Sequence, residues 1–311
     1  MSKKNNLTIY QNCGRKHKFA RLGGLLLMGA LLLAGCGRAE EEVGAESGAL
    51  DGTGQGKPIV AVTIVPQKTF VEAVCKDKVD VVTLVPPGSS PETYEPSPME
   101  MEQFSDASLY FAIGVPVEEA YILPMAGEVK TIALHEAVAK VYPDLTFENG
   151  ERDAHIWLSP KRVMVMVEQI AAEMSSLDEE NSAFYEANAK AYLEELAEAD
   201  DEIRASLAGI KNRKFVVFHP AFGYLAEEYD LEMFSLEEEG KEATAAHLQE
   251  MIDLAKEENI KVIFYQEEID SSQSEAYAEE IGGKTAGLEP LAANYTENLK
   301  KMAVVMAEAM E

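Results

Sequence analysis

Two histidines stand in sequence surroundings that favour metal binding. His155 lies in the segment DAHIWLSP, close to the only tryptophan of the chain, Trp157. His219 follows the apolar run FVVF at the point where a helix is predicted to begin. Imidazole is the most common ligand of divalent transition metals, and open α/β sheets bind ligands at the carboxyl ends of their strands. Either histidine alone would suit a structural role better than a metal site, but two such placements, one in each half, make the two interpretations about equal.

Two further segments follow predicted strands in the same manner. Residues 86–98, PPGSSPETYEPSP, come after the run VDVVTLV, and their prolines and glycine predict a rigid loop that can hold side chains in place. Glu289 lies in LEPL, directly after the run KTAGL. The acidic turn at 237–241 either lines the same cleft or is an ordinary solvated loop, whereas His135 and His247 lie in helical patterns and indicate no site.

Together these motifs resemble the zinc- and manganese-binding solute-binding lipoproteins of bacterial ABC transporters, the family that includes the streptococcal adhesin-like lipoproteins. The first loop of that family reads Pro-His-x-Tyr-Glu-Pro-x-Pro, and residues 91–98 match it except that Glu92 replaces histidine. Asp153 to Pro160 match the second motif, with His155 at the ligand position, and His219 to Tyr224 match the third, His-x-Ala-Phe-Gly-Tyr. The resemblance extends from the N-terminal cysteine motif described below to the end of the chain.

The resemblance implies a metal site made of Glu92, His155, His219 and Glu289, in a cleft between two lobes. Two carboxylates would neutralise a divalent cation fully, whereas three histidines and one carboxylate would leave a positive site. Oxygen donors shift the preference toward harder ions such as Mn²⁺, but zinc still binds more tightly than manganese to a given set of nitrogen and oxygen ligands. We therefore expect Zn²⁺ as the transported ligand, with Mn²⁺ as the alternative. An exposed Glu92 with water completing the site is the other interpretation of the loop.

The elements that must position these residues alternate between strands and helices. Short apolar runs at 58–65, 79–85, 107–114, 129–134, 215–218, 261–265 and 284–288 are typical of buried parallel strands, and helical patterns such as 245–259 and 272–282 separate many of them. Residues 179–210 show a helical pattern with neither glycine nor proline before Gly209. The expected fold is α/β, with two lobes of mainly parallel sheets joined by one long rigid helix.

The N-terminus has the pattern of an export signal. Basic residues precede a short apolar run that ends in Leu-Ala-Gly-Cys at Cys36, and this run is too short to span a bilayer. The sequence resembles the bacterial lipobox, in which the cysteine receives lipid. The predicted organisation is a signal peptide at 1–35, lipidated Cys36 and a flexible tether at 36–56, an N-terminal lobe at 57–178, the connecting helix at 179–210 and a C-terminal lobe at 211–311. We thus expect an exported protein anchored by lipid to the outer face of the cell membrane.

Charge and motif content exclude several classes of function. Seven of the 27 lysines and arginines precede residue 39 and all 55 acidic residues follow it, so the remainder is strongly acidic and repels nucleic acid and anionic lipid. A metallohydrolase is disfavoured because no His-Glu-x-x-His motif is present, and no phosphate-binding loop occurs. We expect a monomeric, non-enzymatic component of an ABC importer that delivers its metal to a membrane permease. The alternatives are a surface adhesin and a secreted metallohydrolase.

Overall fold

The computed structural model describes residues 56–237, 243–268 and 272–310, which form two similar α/β halves. The first half contains β1 (Ile59–Val62), α1 (Val65–Cys75), β2 (Asp80–Thr83), α2 (Pro98–Ser105), β3 (Leu109–Ala112), β4 (Lys130–Ala133), α3 (Leu134–Ala139), α4 (Pro160–Leu177) and α5 (Ser182–Leu207). The second contains β5 (Lys214–Val217), α6 (Gly223–Glu228), β6 (Glu232–Ser235), α7 (Ala245–Glu257), β7 (Val262–Gln266), α8 (Ser272–Glu280), β8 (Lys284–Leu288) and α9 (Tyr295–Met310).

Each half is built on a four-stranded sheet in which every pairing is parallel. The strand orders are β2-β1-β3-β4 and β6-β5-β7-β8, so successive connections run to opposite sides of β1 and of β5. This reversal opens a crevice at the carboxyl ends of the strands, where ligands bind in open α/β sheets. The segments that carry Glu92, His219 and Glu289 all follow strands at these ends.

The long helix expected at 179–210 is confirmed as the 26-residue helix α5. Its N-terminal part contacts the first half, where Asn188 donates a hydrogen bond to the Val74 carbonyl at 2.9 Å. Its C-terminal part contacts α9 of the second half, where Thr296 donates to Glu195 at 2.6 Å. One long helix therefore packs against helices of both halves, and it is unbroken, as the absence of Gly and Pro predicts.

The two halves share one continuous apolar core. Trp157 is fully buried, and its indole N–H donates to the Pro290 carbonyl at 2.9 Å. The Tyr295 hydroxyl donates in return to the Trp157 carbonyl at 2.5 Å. A smaller apolar cluster lies under α7 and α8. The Trp157 ring also lies beside His155, with ring centroids 5.2 Å apart, so these bonds between the halves lie close to the crevice.

All seven predicted strands are present, and the two-lobed α/β fold with largely parallel sheets is confirmed. The eighth strand, β6, has no counterpart among the predicted runs because Glu232-Met233-Phe234-Ser235 begins with a charge and lies at the edge of its sheet. Cys36, which is predicted to carry lipid, and the predicted tether at 36–56 lie outside the described residues, apart from Gly56. Among the described helices, none has the length and apolar character that crossing a bilayer requires.

Candidate metal centre

Glu92, His155 and His219 converge at the mouth of the crevice. The ligand-capable atoms of these three residues all lie within 4.8 Å of one another. Glu92 Oε1 is 2.8 Å from His219 Nε2 and 3.2 Å from His155 Nε2, and the two Nε2 atoms are 3.4 Å apart. In a tetrahedral site with bonds of about 2.0–2.1 Å, neighbouring ligand atoms lie about 3.3 Å apart. The triangle thus already has nearly the dimensions of one face of a zinc tetrahedron.

Asp153 fixes the orientation of His155. Its carboxylate oxygen Oδ1 accepts the backbone N–H of His155 at 2.9 Å and lies 2.8 Å from the ring atom Nδ1. Nδ1–H therefore donates to Asp153, and Nε2 is left facing Glu92. A carboxylate that holds the second nitrogen of a ligating histidine both orients the ring and increases its basicity.

Glu237 performs the same task for His219. His219 lies two residues after β5, and Glu237 lies two residues after the neighbouring strand β6. The carboxylate of Glu237 is 2.6 Å from His219 Nδ1, and its backbone N–H donates to the Phe218 carbonyl at 2.9 Å. Two parallel strands thereby bring a histidine and its supporting acid together. The His155 and His219 rings therefore both direct Nε2 toward Glu92 Oε1.

Gly223 leaves room for this arrangement. An added Cβ at Gly223 would lie 2.6 Å from Asp153 Oδ2, which is closer than real Cβ atoms approach an oxygen. The third motif therefore has glycine at this position because the start of α6 packs against the acid that holds His155. This contact ties the second and third motifs into one unit.

The loop that carries Glu92 is held by bonds at both ends. The Pro91 carbonyl accepts the N–H of Val117 at 3.1 Å, and Glu95 accepts the Tyr121 hydroxyl at 2.9 Å. The Tyr94 hydroxyl donates to Glu100 in the first turn of α2 at 2.7 Å. The Glu92 side chain is 24% exposed, against 7% for His155 and 4% for His219. Glu92 is thus the ligand candidate nearest to solvent.

The charges of the site suit it to exchange protons for a cation. Burial lowers the pKa of His155, but hydrogen bonds to Asp153 and Glu92 outweigh burial and raise that pKa to about 9. The pKa of His219 is likewise raised, because bonds to Glu237 and Glu92 exceed the effects of burial and of the neighbouring imidazole. Burial opposes ionisation of Glu92, yet the two imidazoles hold its pKa far below its usual range. The resulting cluster of carboxylates and imidazolium rings can release protons and accept a divalent ion.

Glu289 follows β8 as the sequence indicates, but its carboxylate is engaged elsewhere. Its Oε2 accepts the Lys301 ammonium of α9 at 2.9 Å, and its backbone carbonyl accepts Asn298. The bond from Lys301 is the main reason that the pKa of Glu289 is lowered, and Glu267 also bonds to it. Within the part of the chain that the structure describes, Glu289 does not belong to the convergent group of Glu92, His155 and His219. Its role as a fourth ligand stays a prediction.

The sequence pattern alone does not assign roles to Asp153 or Glu237. For Asp153, the signal was present in its position two residues before His155, where a short side chain can reach back to the ring. For Glu237, the signal depends on β6, and that strand has no clear pattern of its own. The acidic turn contributes at least Glu237 to the crevice, which decides between the two interpretations of that residue.

Known proteins of similar sequence are zinc-uptake and zinc-binding proteins. The family model for the periplasmic component A of zinc-uptake complexes, ZnuA, matches residues 60–309. The high-affinity zinc uptake system protein ZnuA of Bacillus subtilis (strain 168) is 31% identical over 291 residues, covering 88% of this chain and 89% of that protein. The zinc-binding protein AdcA of Streptococcus pyogenes serotype M1 is 29% identical over 262 residues, covering 76% of this chain. The chain spans 51% of the length of AdcA.

A crystal structure of a ZnuA protein has the same fold. The two structures superimpose with a TM-score of 0.77 and share 37% sequence identity. The alignment covers 82% of this chain and 100% of the ZnuA chain. The chain belongs to the ZnuA family of periplasmic zinc-binding proteins. Members of this family are solute-binding transport proteins of ABC importers.

Proposed function

We propose that this member of the ZnuA family captures Zn²⁺ at Glu92, His155 and His219 outside the cytoplasm and delivers it to the permease of an ABC importer. The observation that carries the proposal is the triangle of one carboxylate oxygen and two imidazole nitrogens, with edges of 2.8, 3.2 and 3.4 Å. Imidazole nitrogen and carboxylate oxygen are both common zinc ligands, and zinc is four-coordinate in most protein sites.

Three protein ligands leave one coordination position for water or for Glu289. A site with an exchangeable fourth position suits a protein that must give up its metal, because an incoming ligand can bind before the others leave. The ionised carboxylate of Glu92 cancels half of the metal charge. Glu92 thus supplies the donor atom that a third histidine would supply, and it adds a negative charge that a neutral imidazole lacks.

Delivery to a permease fits the predicted N-terminus. We propose that Cys36 carries lipid and that residues 36–56 tether the folded part to the outer face of the cell membrane. Under this proposal the protein acts as a monomer with the organisation predicted from the sequence, and catalysis is not part of its function.

The test is calorimetric titration of the mature chain with Zn²⁺ and, in parallel, with Mn²⁺. The parent protein should bind one Zn²⁺ and bind it more tightly than Mn²⁺. His155→Ala and His219→Ala should each weaken zinc binding about tenfold to a hundredfold or more, since each removes a direct ligand and known losses of supporting residues alone reach that range. His247→Ala is the matched control, because this histidine lies in α7 and bonds to the Ser235 carbonyl. Equal affinity in the parent and both site variants would refute the proposal.

A further inference from the structure

Exposed apolar side chains are concentrated at the start of α2 and in the turn at 121–125, and the bond from Tyr121 to Glu95 joins that turn to the loop just before α2. The part of the chain that the structure describes has eight exposed large hydrophobic residues. Four of them are Met99, at the start of α2, and Tyr121, Leu123 and Met125, in the turn at 121–125. Met99 is 67% exposed and Met125 is 64% exposed, with Tyr121 and Leu123 at 40% and 39%. We call these four residues the apolar ridge. Concentrated apolar exposure on a soluble protein marks an interaction site.

The ridge is presented by a rigid and unusual piece of backbone. Residues Glu118–Ile122 form a π-helical turn, and Leu123–Met125 continue as a 3₁₀ turn around Pro124. The turn is anchored because Ile122 is fully buried and Glu118 accepts the backbone N–H groups of Ile113 and Gly114 at 2.9 and 2.7 Å. Short π-helical turns occur frequently at functional sites. The backbone that carries Tyr121, Leu123 and Met125 is therefore held in place.

Charge around the ridge specifies what it can bind. No lysine or arginine occurs between Lys78 and Lys130, whereas Glu95, Glu119 and Glu128 are exposed beside the ridge. An acidic border disfavours an anionic lipid surface and favours a protein that surrounds an apolar contact with basic residues. Met and Tyr are enriched at protein interfaces, and a patch of this small size suits a transient contact.

The ridge is also connected to the metal site. The Tyr121 hydroxyl bonds to Glu95, and the Val117 N–H bonds to the Pro91 carbonyl next to Glu92. A partner seated on the ridge would therefore touch the same segment that holds the most exposed ligand candidate. We propose that the apolar ridge, with its acidic border, is the surface by which this protein docks on the extracytoplasmic face of its permease, an inference that rests on the proposed function.

The test compares two charged double variants of the full chain, each replacing the gene in the native bacterium. Leu123→Asp with Met125→Asp places charge in the ridge. Leu177→Asp with Val141→Asp is the matched control, since Leu177 is 40% exposed and Val141 is 59% exposed outside the ridge. Initial uptake of radioactive zinc at limiting concentration should fall about tenfold or more in the ridge variant, the effect expected for loss of interface hot spots. It should stay within about twofold of the parent in the control.

Zinc titration and thermal unfolding of the purified variants separate docking from binding and folding. Both double variants should bind zinc and unfold like the parent, because all four positions are exposed. Glu119→Lys with Glu128→Lys, which reverses the border charge without touching the ridge, should also reduce uptake while leaving zinc affinity unchanged.

Three outcomes would overturn the docking proposal. The first is parent-like uptake by the ridge variant in a strain whose zinc uptake depends on the gene. The second is a parent protein that sediments as a dimer and a ridge variant that sediments as a monomer, which would assign the ridge to self-association. The third is unchanged zinc uptake on deletion of the gene, which would also refute the proposed role in zinc uptake.

Discussion

Zinc binding should release protons at a pH where ordinary histidines have already lost theirs. An unperturbed imidazole has a pKa of about 6.5, so it would be mostly neutral at about pH 7.5. The pKa of His155 is raised to about 9 by its bonds to Asp153 and Glu92, which exceed the opposing effect of burial. His155 is therefore protonated in the metal-free protein at this pH, and a metal can bind Nε2 only after the proton has left.

The free-energy cost of this proton release follows from the pKa shift of His155. Removing a proton at about pH 7.5 from a group whose pKa is about 9 costs about 2 kcal/mol, a penalty that zinc binding must overcome. Zinc affinity should increase with pH, since a raised pKa favours the protonated, metal-free form until the pH passes that pKa. Apparent zinc affinity should rise about tenfold per pH unit for each displaced proton up to about pH 9 and then level off. His219, whose pKa is also raised, adds a second proton over part of this range.

Calorimetry in buffers of different ionisation enthalpy measures this proton release directly. The observed enthalpy of zinc binding at about pH 7.5 should vary linearly with the buffer enthalpy, with a slope of about one to two released protons. Asp153→Asn is the matched variant, because it keeps the size of the side chain that contacts Nδ1 but removes its charge, and it should reduce the slope. A slope of zero in the parent protein would refute the reasoning from the pKa of His155.

Three further predictions concern single residues. Glu92→Gln should weaken binding of both Zn²⁺ and Mn²⁺, whereas Glu92→His should retain binding and increase the preference for zinc; parent-like titrations of Glu92→Gln would make the carboxylate a bystander. Trp157→Phe should lower the free energy of unfolding by about 2–4 kcal/mol in denaturant titrations, because the buried Pro290 carbonyl loses its donor and a cavity forms; a change below about 1 kcal/mol would contradict this. Cys36→Ala should move the protein from the membrane to the soluble fraction, and a processed variant that stays with the membrane would argue against lipidation.

The sequence predicts most strands and helices of this protein well, because the strands are short, apolar and bounded by loops. A parallel strand buried on both faces has a continuous apolar sequence, and β3, Leu-Tyr-Phe-Ala, is buried along its whole length. The helix α5 is equally visible, since its apolar stripe repeats without a breaking residue. The edge strand β6 and the π-helical turn at Glu118–Ile122 follow neither simple period, so periodicity does not reveal them.

The sequence likewise predicts some features of the candidate site and not others. His155 and His219 are predictable because each lies at a strand or turn boundary in a distinctive motif, and Glu92 follows because its flanking prolines and Tyr94 keep the loop pattern. The partner of Glu289 is not predictable in this way. Lys301 lies twelve residues later on α9, and only the packing of that helix against the second sheet brings its ammonium to the carboxylate.

The three candidate ligands differ in how the protein holds them, and this difference bears on how a carrier gives up its metal. Each histidine is buried and has a carboxylate bonded to Nδ1, so moving its ring away from the metal would break a buried charged hydrogen bond. Glu92 is more exposed and is carried by a loop whose neighbours bond to the segment beneath the apolar ridge. A partner shifts an equilibrium only by contacts that differ between the two states. Under the docking proposal, a partner on the ridge contacts the segment that holds Glu92, so Glu92 is the ligand candidate whose position the partner can change. If all three residues bind the metal, the two imidazoles would stay fixed by their carboxylates and the Glu92 carboxylate would be the first ligand to leave.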